Sequence, residues 1–228
     1  MTIDIWSDVA CPYCYIGKRH LEAALARFPQ AETVQINWRS FELDPQAPAK
    51  SPGDLYDVLS RKYRMSRTQA QEMTQSVENM GRAAGLDFEF GKAVPVNTLA
   101  AHRLIHLAAE QGLQDVAKEH LLKAYFTEGK DLSDLDTLIS IGAAIGLEAG
   151  LVESTLQSDA FVESVRADED MAHQLGVQGV PFFVFDQKYA LRGAQPVDAF
   201  VQTLEAVWEK TKAEVTADGE ACDVDGCD

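Results

Sequence analysis

Ile3-Asp4-Ile5-Trp6-Ser7-Asp8-Val9-Ala10-Cys11-Pro12-Tyr13-Cys14 joins an extended apolar run to two cysteines three residues apart. Downstream, Gly17, Leu21, Ala24, Leu25 and Phe28 recur at helical spacing. Cys11 therefore falls at or just before the start of a helix. Pro12 fits the first helical position, where its missing N–H costs nothing. Backbone N–H groups and the positive end of the helix dipole stabilise a thiolate there, which predicts an exposed, low-pKa Cys11. Cys14 lies one turn on, near enough on the same face to close a small disulfide with Cys11. The chemistry this pattern serves is thiol–disulfide exchange.

The same spacing also occurs in structural zinc sites and in plainly buried cysteine pairs. Zinc needs two further ligands, and the other cysteines, Cys222 and Cys227, stand far away at the end of the chain. A strand running into a helix is the context a redox pair needs, so no metal and no cofactor are expected.

Beyond the first helix, Val34, Ile36 and Trp38 alternate with Gln35, Asn37 and Arg39 in a half-buried strand. Pro45 and Pro48 end it in a loop. The opening is thus a parallel βαβ unit. From about Ser51 to Leu156 the pattern is helix upon helix, with Asp54, Ser66 and Asn97 as candidate N-caps. Leu99, Leu104, Leu107 and Ala108 form one helical stripe, and Leu121, Leu122, Tyr125 and Phe126 another. A helix over about Ser158–Leu175 then leads to Gly179-Val180-Pro181 and to Phe182-Phe183-Val184-Phe185, apolar on both faces as in a central strand. Tyr189-Ala190-Leu191-Arg192 returns antiparallel, and Val197, Phe200, Val201, Leu204, Val207 and Trp208 mark a last amphipathic helix. The expected organisation is an α/β domain over 1–44 and 157–212, an inserted all-helical subdomain over 45–156, and an acidic tail over 213–228.

The chain has 228 residues and a net charge of −16, from 20 basic against 36 acidic side chains. Nucleic-acid binding rests on clustered Lys and Arg, so this balance argues against it. No stretch approaches the ~20 apolar residues of a membrane span. The first residues lack the basic and apolar regions of a secretory signal, so the expected compartment is the cytoplasm, where a reactive dithiol is more plausible than a lasting disulfide.

Taken together, these motifs resemble the DsbA branch of the thioredoxin superfamily, and within it the FrnE-type cytoplasmic members. The resemblance rests on Ser7–Lys18 (Ser-Asp-x-x-Cys-Pro-x-Cys-Tyr-x-Gly-Lys), on His102-Arg103-Leu104, on Ala124–Gly129 and on Gly193–Pro196. It implies a thioredoxin-like fold with a large helical insertion. It also implies Cys11 as nucleophile, Cys14 as resolving cysteine, and Val180-Pro181 as a cis-proline loop facing them. Pro12, Tyr13, Val180 and Pro181 would then meet the substrate, with the Val180 backbone pairing an extended segment. Protein thiols and disulfides are the implied partners, recharged by glutathione or a thioredoxin-type reductant. His102 would line the cleft by resemblance only; for the five histidines, ordinary surface or partly buried roles are the plainer reading.

Two other functions fit parts of the pattern. Kappa-class glutathione transferases and 2-hydroxychromene-2-carboxylate isomerases are similar in fold, but they typically carry Ser where this chain has Cys11. A non-catalytic holdase or metal buffer would use the helical region and the tail. In that tail, Cys222-Asp223-Val224-Asp225-Gly226-Cys227 permits ring closure and suggests an auxiliary redox pair, beside a solvated acidic arm or thiolate metal capture.

Overall fold

The computed structural model describes residues 1–219, with side chains described through Lys212. The tail cysteines Cys222 and Cys227 lie outside the described residues. β1 (Thr2–Ser7), α1 (Pro12–Leu25) and β2 (Gln35–Ser40) form the expected parallel βαβ unit, paired Thr2 to Gln35 through Ser7 to Ser40. β3 (Phe182–Phe185) lies antiparallel to β1 on its other side, and β4 (Tyr189–Arg192) closes the sheet in the order β2-β1-β3-β4. The fold is α/β and thioredoxin-like, as the sequence predicts.

Strand periodicity sorts the sheet's two faces. Ile3, Ile5, Phe183 and Phe185 join the main core, where Phe183 meets Phe200 of α9 (Val197–Gly219) edge to face at 4.8 Å. Trp6, Phe182 and Val184 point the other way, against Ala172 and Val177. Both faces are covered, so all four residues of β3 are buried. α9 runs to Gly219, past the expected end near Lys212.

Seven helices stand between β2 and β3: α2 (Leu55–Tyr63), α3 (Arg67–Ala83), α4 (Leu99–Ala109), α5 (Gln114–Phe126), α6 (Leu135–Ala144), α7 (Ala149–Gln157) and α8 (Val162–Gln174). Asp54 and Ser66 cap α2 and α3 with complete capping boxes. Asn97 does not cap α4. Thr98 holds that position without a side-chain bond, and Asn97 instead accepts from the Leu99 amide at 2.9 Å. The helix expected from Ser158 starts at Val162. Arg103 explains the delay: its guanidinium gathers the carbonyls of Thr155, Leu156, Ser158 and Ala160, holding that segment as a turn.

β2 is an edge strand, and its outer rim is closed by helix side chains instead of another strand. The Gln114 amide of α5 accepts from the Trp38 N–H at 3.0 Å and donates to the Trp38 carbonyl at 2.9 Å. Further along, Asp168 of α8 accepts from the Ser40 N–H at 2.8 Å, and Glu169 from the Glu42 N–H at 2.9 Å. These bonds fix α5 and α8 to the sheet. α5 is also tied to α1, where Lys18 and Arg19 pair with Glu119 and Lys18 with Asp115.

Candidate active site

Cys11 is the N-cap of α1 and Pro12 its first residue, as the proline and the apolar spacing predict. The helix opens tightly, with the Cys14 amide donating to the Cys11 carbonyl at 3.1 Å. Both thiols are free, and both are buried, Cys11 at 4 % and Cys14 at 0 % exposure. Tyr13, between them, is 41 % exposed.

The loop before β3 comes to this helix end. The Val180–Pro181 peptide bond is cis, and Cys11 Sγ lies 3.5 Å from the Val180 carbonyl oxygen, to which the thiol donates. Pro181 is buried and Val180 half-buried. Gly17, one turn beyond Cys14, permits this approach: a Cβ there would stand 3.0 Å from Pro181 Cγ and 3.2 Å from Phe183 Cζ. Cys11, Cys14, Pro12, Val180 and Pro181 therefore share one place, with Tyr13 at its surface.

An exposed, low-pKa Cys11 is not what the structure holds. The hydrogen bond to Cys14 and burial push the Cys11 thiol well up. Burial acts on Cys14 in the same direction, but is outweighed by the hydrogen bond from Cys11, the charge of Lys118, the Ser7 hydroxyl and the Asp8 N–H, and the Cys14 thiol ends lowered. The bond between the two sulfurs thus separates them, and Cys14 is the more acidic thiol of the pair. The hydrogen bond from Cys11 lowers Cys14 most, and the buried cation beside it adds to that.

Three polar residues behind the thiols escaped the sequence reading of the site. Asp8, buried in the turn between β1 and α1, accepts from the Ala10 amide at 3.3 Å and from the Leu43 amide at 2.8 Å. Its Oδ1 lies 3.3 Å from His102 Nε2 on α4. Burial raises the Asp8 carboxyl, but His102, the Leu43 amide and the Lys118 charge hold it below its ordinary value. His102 is thus a buried partner of Asp8 at 1 % exposure. Lys118 of α5 is likewise buried; its ammonium donates to the Ser7 carbonyl at 3.1 Å and stands 5.5 Å above the Trp38 ring. The third residue is Ser7, whose buried hydroxyl finds no hydrogen-bond partner other than the thiol pair it faces. The visible signal for Lys118 was its place on the Leu121–Leu122–Tyr125 stripe. Among the described residues no group of three or more His, Cys, Asp or Glu is placed to hold a metal ion, and no helix is long and apolar enough to cross a membrane.

Comparison with solved structures places the chain beside a probable DsbA oxidoreductase from Streptomyces coelicolor. The two are 38 % identical, with a TM-score of 0.88 over 92 % of this chain and 90 % of that one. The fold is also that of 2-hydroxychromene-2-carboxylate isomerase (17 % identity, TM-score 0.68, 95 % of this chain and 98 % of that one). It is shared again with the cytosolic disulfide reductase DsbM of Pseudomonas aeruginosa (18 % identity, TM-score 0.65, 92 % and 99 %), a protein also solved with GSH. Residues 2–205 match the DSBA-like thioredoxin domain, and the chain belongs to that family.

Proposed function

We propose that this protein is a thiol–disulfide oxidoreductase of FrnE type acting on protein thiols and disulfides, with disulfide isomerisation within its range. The observation that carries the reading is the Cys11–Cys14 pair at the start of α1, with Cys11 Sγ 3.5 Å from the Val180 carbonyl. In the proposed cycle Cys11 gives its proton to Cys14, the thiol lowered beside it, and attacks a substrate disulfide. One substrate sulfur leaves as a thiolate and the other stays bonded to Cys11. Cys14 gives its proton to water and attacks Cys11 Sγ, closing the Cys11–Cys14 disulfide and expelling the second substrate thiolate, which takes a proton from water. Escape from the mixed disulfide without that second attack gives isomerisation.

Pro12, Tyr13, Val180 and Pro181 form the proposed substrate-contacting rim. Within the chain, 1–44 and 157–212 are proposed as the thioredoxin-like domain, with 45–156 as its helical insertion. The cytoplasm is the proposed compartment, and glutathione or a thioredoxin-type dithiol the proposed reductant; DsbM solved with GSH supports the former. A glutathione-linked isomerase shares the fold but has no use for the second thiol, so Cys14 weighs against it. Cys222 and Cys227 are proposed as an auxiliary redox pair, read out by mass spectrometry of that segment after mild peroxide.

The test is turnover. Cys11→Ser should abolish insulin reduction and reactivation of scrambled ribonuclease, because Cys14, the other described cysteine, is 0 % exposed and out of reach of a substrate disulfide. Full activity in that variant would end the reading.

A further inference from the structure

We infer that Lys118, delivered from α5, is the positioning residue that holds Cys14 as the thiolate which resolves the mixed disulfide. This deepens the dithiol reading and rests on it. A fully buried lysine 1 % exposed needs a reason, since an ammonium away from water is costly unless it is paired. The hydrogen bond Lys118 makes is to a backbone carbonyl, that of Ser7 at 3.1 Å, which cannot neutralise a charge. Acidic groups do surround it: the Cys11–Cys14 thiol pair, of which Cys14 is the more acidic, and Asp8 behind them. The Ser7 hydroxyl, with no partner of its own, faces Cys14 as well. Cation and hydroxyl converge on one sulfur.

The position of Lys118 is fixed from two sides. Gln114, one turn earlier on the same face of α5, grips both backbone groups of Trp38, while Trp38 Nε1 donates to Asp115 at 2.8 Å. Lys18 and Arg19 of α1 bind Glu119, the next residue. The ammonium therefore has little freedom to leave Cys14.

The chemistry balances without a proton from Lys118. In the mixed disulfide the Cys14 proton goes to solvent, and the thiolate it leaves is paired with the ammonium. Cys14 Sγ bonds to Cys11 Sγ, the Cys11–substrate bond breaks, and its electron pair departs on the substrate sulfur, which picks up a proton. Lys118 gives up no proton in this step. Once the disulfide has formed, Asp8 is the remaining anion beside it.

Charged and titratable groups face Lys118 from every element around it: Cys11, Cys14 and Lys18 from α1, and Asp8 from the preceding turn. Behind Asp8 stand His102 of α4 and Tyr125 of α5. Burial lowers the Lys118 amine to about 8, with the thiols and Asp8 opposing that fall and Lys18 adding to it. Its charge is thus sensitive to the redox state of the pair. Oxidation removes the thiolate and lets the amine fall further.

Two measurements on the protein alone test this. In Lys118→Met the thiolate absorbance near 240 nm should titrate at least about one pH unit higher, a tenfold loss of thiolate. Lys118→Arg should restore most of it. An unchanged midpoint in a folded Lys118→Met protein overturns the inference. If that variant does not fold, the side-chain amine of Lys118 is titrated by NMR in the reduced and oxidised wild type. A midpoint lower in the oxidised form supports the pairing, and identical midpoints overturn it. Neither readout needs a substrate, so a wild type inactive on protein disulfides would defeat the functional reading and leave this test standing.

Discussion

Asp8 Oδ1 and His102 Nε2 lie 3.3 Å apart inside the protein, joining the turn that carries Cys11 to the helix α4. Both side chains are almost wholly shielded from solvent. Removing His102 leaves the buried Asp8 carboxylate with the Ala10 and Leu43 amides and the Lys118 charge, short of one close partner, which is more damaging than the pair itself is stabilising. His102→Leu should therefore lower stability by about 3 kcal/mol, measured by urea unfolding at pH 7.

The pH dependence of that loss has a defined sign. The Asp8 carboxyl is lower in the folded chain than in the unfolded one. Its contribution is thus complete above the unfolded value of about 3.9 and disappears as pH falls through the lower folded value. The stability difference between wild type and Asp8→Asn should shrink steadily on acidification below pH 4. A difference constant down to pH 2 would contradict the lowered carboxyl.

Lys118 gives a slope of the same sign in a higher window. Its amine is held at about 8, below its ordinary value of 10.5, so the unfolded chain binds the extra proton between those limits. Stability from this group rises with pH across that window, by roughly 3 kcal/mol in all. Wild-type stability in urea should climb between about pH 8 and the ordinary value of 10.5, and Lys118→Met, which removes the titrating amine, should lose that climb.

Gly17→Ala places a methyl 3.0 Å from Pro181 Cγ and 3.2 Å from Phe183 Cζ. Neither neighbour is the tip of a flexible chain, so either α1 or the loop must shift. A destabilisation of about 1–3 kcal/mol is expected, with slower insulin reduction as the loop moves off Cys11. Gly179→Ala meets nothing within 4 Å and should melt near the wild-type temperature.

Cys14→Ser should accumulate mixed disulfides through Cys11 and lose net reduction, seen as a mass shift on non-reducing gels. No trapped species after exposure to scrambled, disulfide-bonded substrate would contradict the order of the two thiols.

The strands and the dithiol were legible because their signals are local. Alternation sets β1 and β2, a run apolar on both faces sets β3, and Pro12 after Cys11 sets the helix start. The start of α8 was not legible, since Arg103 from another helix holds Ser158–Phe161 as a turn. Nor was the charge state of the thiols. Lys118 reads locally as one more polar residue on a helix, and only its place three before Leu121 hints that it faces inward. What makes it act on Cys14 is the docking of α5 on β2, a contact between residues 76 positions apart.

That docking bears on how the protein can be cut. Trimming the chain to its sheet and two flanking helices would leave Cys11 and Cys14 in place, yet bare the rim of β2 at Trp38 and Ser40. The exposed rim would invite pairing with other chains. The thiols would also be left without the cation that Gln114 anchors one turn away. A minimal version of this protein must keep α5, or supply both a cover for the rim and a substitute charge.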